Sequence, residues 1–576
     1  MNPQFSTSAV GAAAAVLLIA VVLLYRAALP KPIPGVPYKK GSEKRLLGDA
    51  SDSSQILKWR NETQEVFSYM RKLATDLNSP VFQLFMRPMG RPWVIITDFR
   101  EAYDICTNRR EEFDRSAFTG EVFGPIVPNS HIQFATDDLW RSHRQLLRDT
   151  MSPSFVASVI GPVIHRSASG LVSLWKTKAR LAGSQPFDAE QDLARCLVDL
   201  IVSSSFGYDV KSLRTHEDSL SQKVVKGDND SPMVFIAGED TEACTSLITL
   251  ASGVGMAIRS PFPKIVLPLA LRFLPSFASA QRYTHDMISE QASAAWNKFS
   301  KAIKIDRDEQ VTSAMDLLVL REVQMARKEG RESRLDLPVV RDELLAFLFA
   351  GQETTGSTIG WSLKYLAINQ DIQKKMREEL RGSHKRAAQI PGGVPTSQEI
   401  VDTHIPYVEA FIAENHRFAV TISCMIRHTI KDAVVLGHVI PKGSDIFCLT
   451  NGPSYQSPSA AVDESLRSKS SQEAKDKFGV WDEANVSEFR PERWLEMQPD
   501  GELRFNPFAG PSNPFGVGPR ACFGIKWANL IIKTMVTQIV WNFDIQETPE
   551  NLAGFEASDG ASHRAQKTFV RLVALQ

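Results

Sequence analysis

The stretch Phe515-Gly516-Val517-Gly518-Pro519-Arg520-Ala521-Cys522-Phe523-Gly524 decides how the rest of this chain is read. Its one thiol, Cys522, stands just ahead of Ile525 to Lys533, an apolar run that reads as a helix. A cysteine at a helix N-terminus and beside cations titrates low, because the dipole and the positive charges favour the thiolate. The thiolate is the form that binds a metal, and backbone N–H groups at the helix start are placed to donate to the sulfur. Gly518 and Gly524 are predicted to supply unusual backbone angles and close approach to a flat group. A lone cysteine is a small buried hydrophobe in roughly four cases of five. Five specified residue types in one window are another matter, with a chance match anywhere in the chain on the order of 10⁻⁴ at ordinary residue usage.

Outward from that loop, the chain has the character of a large globular protein. Its 576 residues are 43% hydrophobic and 23% charged, ample material for a sizeable core. With 66 basic and 66 acidic residues the formal net charge is zero, and no long basic run appears, which argues against nucleic acid as a partner. The six cysteines, Cys106, Cys196, Cys244, Cys424, Cys448 and Cys522, are scattered without a C-x-x-C or disulfide framework, which suits a reducing compartment.

The N-terminus stands apart. Ala9 to Leu29 is apolar except for Arg26, about the length a bilayer core requires. No basic residue precedes the run, which argues against a cleaved signal. Arg26, Lys31, Lys39, Lys40, Lys44 and Arg45 follow it, so the positive-inside rule leaves everything downstream in the cytosol. Residues 1–29 are predicted to be a membrane anchor. The proline-rich 30–40 is predicted to be a stiff extended linker, and 41–576 one catalytic domain. Helical patterns dominate, as around Glu343 to Leu366 and Pro406 to Arg417. Strand-like runs are few: Trp93 to Thr97, and Val434 to Leu436 leading into a Gly/Pro-punctuated hairpin. The polar stretch Ser454 to Lys477 reads as a mobile surface insertion.

Further motifs accompany the cysteine loop. Ala350-Gly351-Gln352-Glu353-Thr354-Thr355 continues the apolar run from Leu344 to Phe349, and places an acid next to an alcohol beside two residues without bulk. An alcohol that holds water, fed by a carboxylate, is a proton relay. Glu414 and Arg417 have i, i+3 spacing and can pair on one helix face. Phe489-Arg490-Pro491-Glu492-Arg493-Trp494 offers a second arginine, Arg493. In Trp140-Arg141-Ser142-His143-Arg144, an indole and a guanidinium on neighbouring turns can both donate to one carboxylate. Arg427 follows in Met425-Ile426-Arg427-His428.

Taken together, these motifs resemble the cytochrome P-450 superfamily, in its microsomal haem-thiolate form. The resemblance runs from the N-terminal run to the last strands. It implies a mainly α fold with small β-sheets, built as a single large catalytic domain behind an N-terminal transmembrane helix. It implies haem b held through its iron by Cys522, with Phe515 shielding the sulfur and Arg520, Trp140, Arg144 and Arg427 on the propionates. Gly518 and Gly524 fall in the same cofactor loop. Thiolate ligation favours O–O cleavage, with Glu353 and Thr354 as the proton relay. Glu414, Arg417 and Arg493 become a buried structural lock.

The implied activity is a monooxygenase using O2 and electrons from NADPH–cytochrome P-450 reductase, with cytochrome b5 as a further donor. The reductase would dock near Lys526 and the Arg141/Arg144/Arg148 helix at the endoplasmic reticulum membrane. The family's pocket positions, Phe118, Phe123, Ile132, Phe347, Ala350 and Val420 to Met425, are mostly apolar, which points to a lipophilic substrate. The Pro507 to Pro514 approach and the Pro491 to Trp494 variant look like those of fungal members, many of which tailor terpenoid or polyketide natural products. A fatty-acid or xenobiotic hydroxylase is the competitor within the class. A reductase-independent haem-thiolate isomerase or dehydratase competes from outside it, but such members typically lack the acid–alcohol pair. A haem-based sensor would need an output domain, and none is found.

Overall fold

In a computed structural model, the described residues are 7–51, 54–87, 89–220, 224–225, 231–236, 239–260, 262–300 and 310–575. They form a mainly helical fold with small sheets, as expected. Its axis is the 32-residue helix Leu337–Ile368, whose first turn is capped by the Asp336 side chain on the Val339 N–H and carries Pro338. Apolar residues lie on every side of this central helix rather than in one stripe, which fits an element buried among other helices. Helices Glu190–Phe206, Pro406–Ala419 and Ile525–Asn542 pack around it. The helix Pro153–Ala182 is long and apolar enough to cross a membrane, but half of it is buried in this core.

A five-stranded sheet flanks the helices in the order Val81–Leu84, Trp93–Ile96, Asp445–Leu449, Cys424–Thr429, Phe113–Arg115. Trp93–Ile96 and Asp445–Leu449 run parallel and the other neighbours antiparallel. Its register sets Arg115 opposite Arg427, two cations side by side at one edge. The late strand-like run pairs as Ala433–Val435 with His438–Ile440. Leu436 and Gly437 form the turn, both at positive φ, which matches the twist of a two-residue hairpin.

Two expectations are corrected. The proline-rich segment is not a free spacer. The buried Gln83 side chain accepts from the Ile33 N–H at 2.8 Å and donates to the carbonyls of Ile33 and Val36 at 3.0 and 2.8 Å. This pins residues 33–36 to the first strand of the sheet. The Ser454–Lys477 stretch is likewise docked. Arg467 forms a buried fork with Asp98 at 2.7 and 2.8 Å, and the Ser468 hydroxyl donates to Asp104 at 2.6 Å. Phe478 closes the segment against Phe99 and Tyr103, each at 4.9 Å between ring centres. Its polar composition hides ion pairs spent inward on the helix Phe99–Thr107.

The helix Thr7–Ala28 is present, and its described apolar residues, such as Leu18 and Leu23, stand exposed. Residues 1–6 of the anchor expectation lie outside the described residues.

Candidate active site

The cysteine loop is built by its glycines and one tight closure. The Cys522 N–H donates to the Phe515 carbonyl at 2.8 Å, folding the loop back on itself ahead of the helix Ile525–Asn542. Gly518 has φ +74°, and a β-carbon there would stand 2.2 Å from the Cys106 carbonyl oxygen. Its need for glycine is therefore real, but the close approach is to the protein's own helix Phe99–Thr107. Gly518 is not among the residues that line the cavity described below. Gly524 differs in the other direction. Its φ of −83° is ordinary, and an added β-carbon would meet nothing within 4 Å, so here the room itself is what glycine provides.

Cys522 opens into a cavity of about 700 Å³. The side chain is exposed toward this cavity. Burial pushes its thiol up, against the opposing pull of the Gly524 N–H and the Arg144 charge. The central helix contributes Ala346, Phe347, Ala350, Gly351 and Thr354 to the same lining. Ala350 leaves open space, whereas the missing side chain of Gly351 is filled by Ile201, whose Cδ1 would stand 2.9 Å from an added β-carbon. The expected pocket residues all line the cavity except Val420, which ends the helix Pro406–Ala419 at φ +43°.

The acid–alcohol pair is split by the helix. Thr354 faces the cavity, and its hydroxyl donates to the Ala350 carbonyl. Glu353 instead lines a smaller pocket of about 210 Å³ beside Gln352, Glu190 and Arg564. Its carboxylate accepts from the Ser562 N–H and hydroxyl, both at 3.2 Å. Ser562 in turn lines the main cavity, so it is the link between the two spaces.

Four guanidiniums converge on one end of the cavity: Arg115, Arg144, Arg427 and Arg520. Arg520 and Arg144 each stack on Trp140, at 4.8 and 5.3 Å, and Arg144 also covers Phe523 at 4.6 Å. The hydrogen bonds of Arg115, Arg427 and Arg520 go to backbone carbonyls, those of Ile132, Ile426 and His131. Among the described residues none of the four pairs with a carboxylate. Burial lowers Arg520 to about 10, with Arg427 and Arg144 adding to the effect. Burial also lowers Arg115, helped by Arg520 and Arg427. The Arg520 Nη1 atom is buried with no partner at all.

Glu414, Arg417 and Arg493 meet in one buried cluster. Arg417 grips the carboxylate with Nε and Nη2 at 2.8 and 2.7 Å, and Arg493 Nε adds a bond at 3.0 Å. The Trp494 indole and the Arg490 N–H complete it, each at 2.8 Å. Phe515 packs edge-on against His416 of the same helix at 5.1 Å.

Arg115, Ser562 and the buried His131–Glu343–His143 group escaped the sequence reading. Arg115 reaches the site only through strand register, and no local motif announces it.

Comparison with known proteins agrees. A sequence model of the family described as Cytochrome P450 matches residues 54–454 and 479–558. The break between them coincides with the polar segment that docks on the helix Phe99–Thr107. A cytochrome P450 monooxygenase of Pestalotiopsis microspora, GME11363, is 90% identical over 576 residues, covering 100% of both chains. TRI13, a cytochrome P450 monooxygenase of Fusarium sporotrichioides, is 32% identical across 96% of this chain and 98% of its own. An Hps1-dma1 cluster cytochrome P450 monooxygenase of Dothistroma septosporum is 32% identical over 45% of this chain and 86% of its own. With a thiol facing an apolar cavity, an arginine cradle beside it and these relatives, the chain belongs to the cytochrome P450 family, as a fungal monooxygenase and oxidoreductase.

Proposed function

We propose that this protein places one oxygen atom of O2 into a lipophilic substrate, as a tailoring step in fungal secondary metabolism. The observation that carries this is one cavity lined together by Cys522, Ala350 and Thr354, and otherwise mainly by apolar side chains. The relative named for the Hps1-dma1 cluster supports a biosynthetic setting.

Haem b fits the residues present. Cys522 would hold its iron, Gly524 leaves space at the loop, and the unpaired cradle suits two propionates, with Arg520 Nη1 still lacking an acceptor. When bound, the iron supplies O2 activation, and thiolate ligation favours O–O cleavage. Phe515 and Phe523 flank the sulfur in sequence and line the cavity, keeping water from it. Thr354 has its hydroxyl proton on the Ala350 carbonyl, so its lone pairs remain free to accept from water held in the cavity. Glu353 accepts from the Ser562 hydroxyl at the side pocket, and Ser562, which also lines the cavity, is the group placed to relay a proton between the two spaces. The Glu414 lock fixes the helix Pro406–Ala419 against residues 486–494.

Electrons come from NADPH–cytochrome P450 reductase, with cytochrome b5 as a second donor. The outer face of the helix Asp138–Leu147 supports this docking. Arg141 and Arg148 are exposed there, Leu139 and Leu146 stand beside them, and Lys526 lies exposed at the start of the helix Ile525–Asn542. Arg144, which the sequence reading grouped with them, turns inward and is not available to a partner. Such docking weakens with salt.

We place residues 1–29 in the endoplasmic reticulum membrane as an anchor, with the catalytic domain 41–576 in the cytosol. The helix Pro263–Phe273 supports a membrane-facing surface, since Ile265, Leu269 and Phe273 are exposed along it.

The test is reconstitution of the full-length protein in vesicles with reductase and NADPH, against a panel of lipophilic fungal metabolites. A hydroxylated product dependent on NADPH and O2 is expected for at least one compound that shifts the haem spin state. Turnover of a hydroperoxide without NADPH, and none with it, would overturn the reading. Thr354→Ala should keep substrate binding and divert electrons to peroxide, and unchanged coupling would remove Thr354 from the relay.

A further inference from the structure

Glu343 is a fully buried carboxylate in the first third of the central helix, and its partners are unusual. It accepts from the His131 N–H at 2.7 Å, His131 Nδ1 at 2.7 Å, His143 Nδ1 at 2.7 Å and the Ser130 hydroxyl at 3.1 Å. A carboxylate can only accept, so both imidazoles carry a proton on Nδ1. Burial alone would raise its carboxyl, but the His131 and His143 bonds overcome this and hold it below the usual range. The preceding residue, Asp342, takes the Asn129 N–H and side-chain amide at 2.9 and 2.8 Å. Two successive acids therefore clamp residues 129–131 by their backbone.

That clamped segment carries the cradle. The His131 carbonyl accepts from Arg520 at 3.4 Å, and the next carbonyl, of Ile132, accepts from Arg115 at 3.1 Å. On the other side, His143 immediately precedes Arg144 on the helix Asp138–Leu147. The Glu343 charge also acts on Arg144, which faces the Cys522 thiol as well. Three of the four cradle guanidiniums are thus tied to Glu343 at one remove. A buried charge held by two histidines is costly where an apolar side chain would pack as well.

We propose that Glu343, clasped by His131 and His143, is the positioning residue of the cofactor cradle. It sets the places of Arg115, Arg144 and Arg520, and its negative field favours the oxidised iron. This rests on the reading that the cavity holds a haem-thiolate group.

The test uses the purified, haem-loaded full chain. The carbon-monoxide-bound ferrous spectrum of the unaltered protein comes first, since absence of the red-shifted thiolate band would defeat the cofactor reading itself. Given that band, Glu343→Gln should speed haem transfer to apomyoglobin by about tenfold or more, the range of outer-shell losses. It should also raise the ferric/ferrous midpoint potential. Unchanged transfer and potential, even with a lowered unfolding temperature, would overturn the proposal, because they would leave Glu343 a purely structural role. If Glu343→Gln does not accumulate, His131→Phe and His131→Asn decide. Asn keeps an N–H for Glu343 and should restore haem retention toward the parent, whereas Phe should lose it. Equal transfer rates in both variants would overturn the proposal.

Discussion

Two arginine-rich clusters accompany the cysteine loop, and they are opposites. In the Glu414 lock, Arg417 and Arg493 find every acceptor they need inside the protein: one carboxylate and the carbonyls of Tyr455, Val486 and Glu488. In the cradle, among the described residues, Arg115, Arg144, Arg427 and Arg520 have backbone carbonyls and aromatic faces but no carboxylate, and one nitrogen is buried bare. A buried charge must be paired or it is expensive. The closed network needs nothing further and reads as architecture. The open one needs an anion that none of the described residues provides, and reads as a ligand site.

The comparison breaks most sharply at Glu414. Glu414→Ala would strand two guanidiniums and the Trp494 indole in the core. Removing one partner of a buried pair costs about 3–5 kcal/mol, a large share of the about 5–15 kcal/mol that holds most domains together. Little soluble protein, or a greatly lowered unfolding temperature, is expected with or without haem. A haem-free protein of normal stability would show that the lock is not structural.

The cradle should respond in the reverse manner. Arg520→Ala removes a buried charge with an unsatisfied nitrogen. The haem-free protein should lose less than about 1 kcal/mol, mainly the stacking on Trp140. Haem affinity should fall by about 10- to 100-fold. Equal haem affinity in variant and parent, measured by haemin titration, would erase the distinction between the clusters.

The smallest effect concerns His416, on the lock's helix but facing the cavity. Burial lowers it from 6.5 to about 4. The unfolded chain therefore takes up a proton near pH 6.5 that the folded chain refuses until about pH 4. The stability this group contributes is complete above pH 6.5 and falls as pH drops through that window. His416→Phe should flatten the acid side of the stability profile relative to the parent, followed by thermal unfolding from pH 7 to 4. Parallel profiles would show that His416 titrates alike in the folded and unfolded chain.

What the sequence revealed divides along the same line. The cysteine loop, Trp140, Arg144, Arg427 and the lock were legible because each is fixed by short-range spacing or by a motif. The central helix and the hairpin after Ala433 followed from periodicity and turn residues. Arg115 was invisible because its place depends on pairing with a strand far along the chain. The split of Glu353 from Thr354 was also hidden, since neighbours on a helix point apart and only Ser562 shows which space each serves. Polar composition misled at Ser454–Lys477, where Arg467 and Ser468 meet acids on another helix instead of water. Proline content misled at residues 33–36, which Gln83 holds to the sheet.

The central claim is that the cavity beside the cradle holds a haem on the Cys522 sulfur. The most direct measurement is the reduced, carbon-monoxide-bound difference spectrum of the full-length protein and of Cys522→Ala. The expected result is a strongly red-shifted Soret band in the parent that disappears in the variant while its helical circular dichroism is kept. A parent without that band, or a variant that retains it, would contradict the account.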